Sequence, residues 1–388
     1  MDANQEGDEA DPGEVFEAFF PHGWHRCTDW AGFEVFLGLL EMWRWAEWAA
    51  MWNFEFLAKV AQRSRVLFSV LVFMACFEGA GICQGTTPAQ PASPAVEKKK
   101  ALQFEDGDRV VLIGSTVMER EQRYSSFEPR LALALGNKVV TVRNLAWSGD
   151  TVFGHARSYF GPPQEGLDRL KAHVDLLKPT VVVLCYGSEL AFEGLAGLPE
   201  FLTGYRKLLD LFRAKVAEVR FVIVAPPPLE SLPPPLPDLE KQNRNLLSLR
   251  DALGKFAQAQ DAVFVDWFGA MGGMPKPGRT GNPLTENGVH YLAKGYDRLG
   301  EALVTGLGLK IPEVGQGEMA ALKKEVGLKD ELFFNRWRPQ NETYLFGFRK
   351  HEQGQNAKEI PMFDPLIEAA DKRIQELKRA ALATASRL

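Results

Sequence analysis

Cysteine is scarce in this chain of 388 residues: Cys27, Cys76, Cys83 and Cys185 make no CxxC pair and no His/Cys cluster. That spacing argues against a structural zinc site and against a disulfide framework. A basic excess is lacking as well. The formal net charge is -5 and no Lys/Arg run with interleaved aromatics occurs, so the surface that a nucleic-acid partner needs is missing. Neither a G-x-G-x-x-G fingerprint nor a Walker loop is present, which sets a nucleotide-binding reading low. No internal repeat stands out. The apolar run at residues 66–77 is shorter than the roughly 20 residues a membrane-spanning helix requires.

What is present is the composition of a globular protein, 46% hydrophobic and 24% charged residues, over a length sufficient for one large domain or two ordinary ones. The first fifty residues are acidic and then dense in tryptophan (Trp24, Trp30, Trp43, Trp45, Trp48). Lys59, Arg63 and Arg65 then precede the apolar run, and small residues follow it to Gly85. A basic flank, a short apolar core and small residues make an export signal, so residues 51–85 are read as one. Met51 stands at the right distance ahead of it. Translation is expected to begin at or near Met51, leaving residues 1–50 as a start-site artefact; the alternative is a genuine N-terminal extension ahead of a signal anchor. The product would be exported, periplasmic or secreted, with no stable membrane span once the signal is removed. Residues 86–105, rich in Pro, Ala and Ser and then basic, read as a flexible linker.

From residue 106 the character changes. Short Val-rich runs at 109–113, 139–144, 180–186, 220–225 and 262–266 alternate with helical periods at 121–135, 166–177, 198–216, 238–260 and from about Ala293. Strand, helix, strand at this spacing predicts right-handed crossovers and a five-stranded parallel sheet in a three-layer α/β/α domain spanning 106–310. Fully apolar strands fit a sheet covered on both faces. Cys185, within the run Val181–Cys185, reads as a buried strand thiol. Ligands in such sheets bind beyond the carboxyl ends of the strands, and there the sequence places polar, Gly-containing loops. They are Gly114-Ser115-Thr116, Asn144-Leu145-Ala146-Trp147-Ser148-Gly149-Asp150-Thr151, Gly187-Ser188-Glu189 and Glu286-Asn287-Gly288-Val289-His290.

In order, strand context and spacing these loops resemble the SGNH (GDSL-type) hydrolases, whose domain is a flavodoxin-like α/β fold and whose activity is ester hydrolysis. Those proteins carry Gly-Asp-Ser after the first strand, a Gly in a Ser-Gly-Asp-Thr-like loop after the second, Gly-x-Asn after the third and Asp-x-x-His late in the domain. The resemblance covers about half the chain, and its most specific piece is Asn144 to Thr151. It implies that Thr116 takes the nucleophile position, with Ser115 where the family has Asp. Gly149 keeps the backbone oxyanion donor and Gly187 the glycine of the third loop. Glu189 replaces the Asn donor, Asn287 the triad Asp, and His290 remains as the base, with Glu286 one residue from the Asp position. No metal or organic cofactor is implied.

Each substitution has a physical cost. The Thr methyl crowds attack and restricts χ1, and an internal Thr lacks the free amine that usually activates such nucleophiles. Asn can orient a His but cannot stabilise an imidazolium, a change that costs about 10⁴ in rate in the trypsin-type triad. An ionised Glu189 would repel an oxyanion; a protonated one, which burial must produce, could donate. The expected function is an esterase or acetylesterase, acting on a small-molecule or carbohydrate ester by acyl transfer to Thr116 or, as the second choice, to Ser115. The alternative is a catalytically inactive relative that binds an acyl or sugar ligand.

Residues 311–388 read as a helical C-terminal extension like that of a bacterial exported subgroup of this family. Helical stretches are expected over about 318–334 and 364–382, and between them lies a segment dense in Arg, Trp, Tyr and Asn. That segment is read either as an arm lending Arg338, Asn341 or Arg349 to an anionic or sugar substrate, or as packing through Trp337, Tyr344 and Phe346. Ile367, Ala370, Ile374, Leu377 and Ala381 make one narrow apolar stripe, suited to docking or to a homo-oligomer.

Overall fold

The strands alternate apolar residues to both sides because both sides are covered. They are β1 (Arg109–Gly114), β2 (Thr141–Asn144), β3 (Val181–Cys185), β4 (Arg220–Ala225) and β5 (Val263–Asp266). All pairs are parallel, in the order β2-β1-β3-β4-β5. The computed structural model describes residues 101–216, 218–275 and 282–386. The expected N-terminal extension, export signal and most of the linker therefore lie outside the described residues.

One face of the sheet (Val111, Ile113, Val182, Leu184, Ile223) meets α3 (Pro163–Leu177), α4 (Leu198–Arg213) and α5 (Glu240–Ala259). The other (Val110, Leu112, Val183, Val222, Val265) meets α2 (Phe127–Ala134) and α6 (Ala293–Gly306). Cys185 is buried on that second face, and burial pushes its thiol up. Residues 101–105 are not wholly linker. Leu102 and Phe104 are buried in the second core, and the Leu102 N–H donates to the Leu307 carbonyl. Their i, i+2 spacing was the signal, masked by the basic residues just before it.

The expected helix over 121–135 is broken. The chain enters α1 (Thr116–Glu119), passes through a 3₁₀ turn at Arg120–Arg123, and restarts as α2. Ser125 takes φ +47, and the buried Glu121 carboxylate accepts from the Ser126 and Phe127 N–H groups, each at 2.6 Å. A side chain that satisfies the first amides of α2 fixes the break where helical periodicity alone would run on.

The extension packs on the edge of the same sheet. Its helices α7 (Gln316–Trp337) and α8 (Phe363–Ala385) lie against each other, and Leu322, Val326, Ile374 and Ala381 form a small core with Leu133 of α2. The apolar stripe of α8 is used within the chain, which leaves the homo-oligomer expectation without the face on which it rested. β2 is an edge strand, and such edges need cover. Lys329 of α7, with its side chain 0% exposed, donates to the Val142 carbonyl at 3.0 Å and pairs with Asp330 at 2.8 Å and with Glu128 of α2. Arg143 of β2 holds Asp371 of α8 by two bonds, 2.5 and 3.1 Å. Among the described residues, no helix is long and apolar enough to cross a membrane.

Removing one partner of a buried pair strands the others. We expect Lys329→Met to destabilise the protein by about 3–5 kcal/mol, read from the urea midpoint with an unchanged m-value; a loss under about 1 kcal/mol would contradict the docking role.

Candidate active site

Strand order reverses between β1 and β3, and the loops leaving these strands define a crevice at their carboxyl ends. Ser115 precedes α1, and its carbonyl accepts from the Met118 and Glu119 N–H groups. Its own N–H donates to the Cys185 carbonyl at 3.2 Å, tying this turn to β3. The Ser115 hydroxyl makes no capping bond. Thr116 thus opens α1 at the crevice.

The loop after β2 comes over this turn. Asn144 Nδ2 donates to the Met118 carbonyl at 2.9 Å while its Oδ1 accepts from the Ala146 N–H at 2.9 Å. Gly149, at φ +75 where side-chain residues are strained, turns its N–H onto Thr116 Oγ1 at 3.3 Å. Asp150 beneath it is buried and accepts from Arg157 Nε at 2.7 Å and from the Tyr186 hydroxyl at 3.0 Å. Thr151 Oγ1 lies 2.7 Å from His155 Nδ1.

The histidine arrives on a different support. Residues 284–292 form a tight turn closed by Leu292 N–H to Leu284 O at 2.7 Å and Glu286 N–H to His290 O at 2.9 Å. Glu230, in the Pro-rich loop after β4, clamps it. Its carboxylate accepts from the Thr285 N–H at 2.8 Å and the Thr285 hydroxyl at 2.7 Å, and its N–H donates to the Gly288 carbonyl. Within the turn, Asn287 Oδ1 accepts from the Val289 and His290 N–H groups at 3.1 and 2.9 Å. Those two donors fix the amide orientation and leave Nδ2 facing His290 Nδ1 at 3.0 Å. An N–H₂ group facing Nδ1 makes that nitrogen the acceptor, so the proton sits on Nε2, the wrong tautomer for a base. Glu286 Oε1 lies 3.5 Å from the same Nδ1 and is also held by Arg120 Nη2 at 3.1 Å. Two groups of opposite demand therefore compete for one ring nitrogen.

A cavity of about 100 Å³ brings Ser115, Thr116, Ser188 and His290 together, with Arg120 and Leu229 in its wall. Thr116 and His290 share the cavity without a hydrogen bond between them. Gly187 and Glu189 do not line it. Gly187, at φ +105, is packed so that a side chain would meet Leu249 and Phe201, and Glu189 is half-buried beside it. Burial, with Glu193 and Asp150 nearby, raises the Glu189 carboxyl to about 7 against the opposing pull of its own and the Gly187 N–H. Of the arm residues, Arg338 reaches this region. Its guanidinium lies 3.6 Å from the Trp147 ring centre and binds Glu119 of α1 at 2.6 Å, while Glu119 also accepts from Ser148. Asn341 lies at φ +63 ahead of a single helical turn, and Arg349 pairs with Glu352. Sequence reading missed Arg120, Arg157 and Glu230. Glu230 alone carried a signal, as the acidic residue of a Pro-rich loop at the correct sheet edge.

This is a parallel α/β domain with a hydroxyl, a histidine and a backbone donor gathered at the switch point of the sheet, the layout of an acyl hydrolase. Residues 108–298 match the GDSL-like Lipase/Acylhydrolase family, and this domain belongs to it. Similar solved structures include BT4096, a gut microbial diltiazem-metabolizing enzyme, with 11% identity over 71% of this chain and 96% of that one and a TM-score of 0.49. Others are Axe2, an acetylxylan esterase from Geobacillus stearothermophilus, with 17% identity, 54% and 98% coverage and a TM-score of 0.39, and TesA, with 20%, 52%, 98% and 0.36. No curated protein matches the chain.

The raised Glu189 carboxyl has a defined sign in stability. As pH rises from the ordinary 4.5 towards about 7, the unfolded chain gives up this proton first, so the folded state loses stability across that window and no further above it. We expect the stability difference between wild type and Glu189→Gln, measured by urea unfolding, to move against the wild type from pH 4.5 to 7; a flat difference would show an ordinary carboxyl.

Proposed function

We propose that the domain is an ester hydrolase for short acyl groups, acetyl esters above all, acting by acyl transfer to Thr116. The observation that carries this reading is the shared cavity of Thr116 and His290, with the Gly149 N–H directed at Thr116 Oγ1. Its size, about 100 Å³, accommodates an acyl group of a few heavy atoms and little more. Thr116 Oγ1 attacks the ester carbonyl and its proton passes to His290 Nε2. The carbonyl oxygen becomes an oxyanion facing the Gly149 and Thr116 N–H groups. His290 returns the proton to the leaving alcohol, then takes one from water to release the acid and restore Thr116. Each proton transfer requires the ring to carry hydrogen on Nδ1, which places Glu286 rather than Asn287 as the orienting acceptor.

The Asn287 amide on Nδ1 favours a second reading, a cleft that binds an acyl ligand without turnover. Aryl-acetate hydrolysis separates the two. We expect slow wild-type hydrolysis, abolished in Thr116→Ala and His290→Ala, reduced in Glu286→Gln, and raised about a hundredfold or more in Asn287→Asp, which supplies the missing acceptor. Folded protein with no hydrolysis in wild type or in Asn287→Asp removes the esterase reading. Acetate release from an acetylated sugar extends the assay to carbohydrate substrates.

A further inference from the structure

A second, larger cavity of about 470 Å³ lies between α3, the end of β2 and the extension, away from Thr116 and His290. Its volume is that of a small-molecule site. Its walls are mainly aromatic and aliphatic, with Trp147, Phe333, Trp337 and Leu176 prominent. Three buried polar atoms in these walls lack a protein partner: Arg157 Nη1, Trp337 Nε1 and His173 Nδ1. Arg157 is 1% exposed; its Nε binds Asp150 and its Nη2 the Leu145 carbonyl at 2.8 Å, yet its Nη1 is unpaired. Trp337 Nε1 is likewise buried and unpaired. Buried donors are seldom left so.

Arg157 Nη1 and Trp337 Nε1 only donate, and the neutral His173 ring can carry its hydrogen on the unpartnered Nδ1 as a third donor, so the head they fit is acceptor-only: a carboxylate rather than a hydroxyl. His173, edge-on to Trp337 with 5.3 Å between ring centres, supplies no further charge. Burial and Arg157 depress it to about 4, so its ring is neutral. Each lining arginine already has a carboxylate partner, Arg157 with Asp150, Arg143 with Asp371, Arg169 with Glu342 and Arg336 with Asp364. The apolar walls therefore carry much of the affinity, and the unpartnered donors set the head group.

We infer that this cavity binds a carboxylic acid with an apolar body, its carboxylate on Arg157 Nη1 and Trp337 Nε1 and its body among Trp147, Phe333 and Leu176. The site is independent of whether the cleft hydrolyses esters.

Calorimetric titration of the full chain with octanoate, and with octan-1-ol as the neutral counterpart, tests it. Octanoate should bind at least about tenfold more tightly than the alcohol. Trp337→Phe, which keeps the ring and removes the donor, should weaken it about tenfold. Leu176→Trp, at a residue 64% exposed and so safe for folding, should abolish binding by filling the cavity. His290→Ala and Thr116→Ala should leave it unchanged. Absence of octanoate binding overturns the proposal, as does equal affinity for the alcohol, binding unaffected by both cavity variants, or binding lost with the cleft variants.

Discussion

The arrangement depends most on the buried contact between Asp150 and Arg157. Both side chains are essentially out of solvent, at 0% and 1% exposure, where a pair repays its desolvation only if its remaining hydrogen-bonding groups are served. Here Tyr186 serves one carboxylate oxygen and the Leu145 carbonyl one guanidinium nitrogen, while Asp150 Oδ1 and Arg157 Nη1 stay without a partner. One network thereby binds the loop after β2 to the end of β3 and fixes the height of Gly149 above Thr116. The same guanidinium forms part of the wall of the second cavity, so the crevice and the cavity share one anchor.

The extension is a structural part of the domain. It covers the β2 edge, neutralises two buried carboxylates through Lys329, and reaches the catalytic-type loops through Arg338. That arginine lies over Trp147 and grips Glu119 on the helix that Thr116 opens. A displacement of the arm is thus felt at α1 through one stacked and hydrogen-bonded side chain. Arg338 acts here by holding protein groups.

Much of this fold was legible because buried parallel strands leave near-continuous Val runs, and all five were placed within two residues at either end. The helix over 121–135 was not, because its interruption comes from Glu121 folding back on the Ser126 and Phe127 amides, a choice of rotamer and backbone that periodicity does not record. The site was legible as an order of loops, which brought Thr116, Gly149 and His290 to one crevice. What spacing could not give was orientation. The turn around Asn287 decides which of its amide atoms meets the imidazole, and Glu230, which clamps that turn, and Arg120, which holds Glu286, come from distant parts of the chain.

The asymmetry of that amide has an evolutionary meaning. Asn and Asp codons differ by one base, so a single transition separates a ring held with its proton outward from one free to accept. The scaffold around position 287 is indifferent to the exchange, since Oδ1 keeps its two backbone donors in either case. For the esterase proposed above, this turn would let one substitution separate ligand holding from turnover without rebuilding the fold.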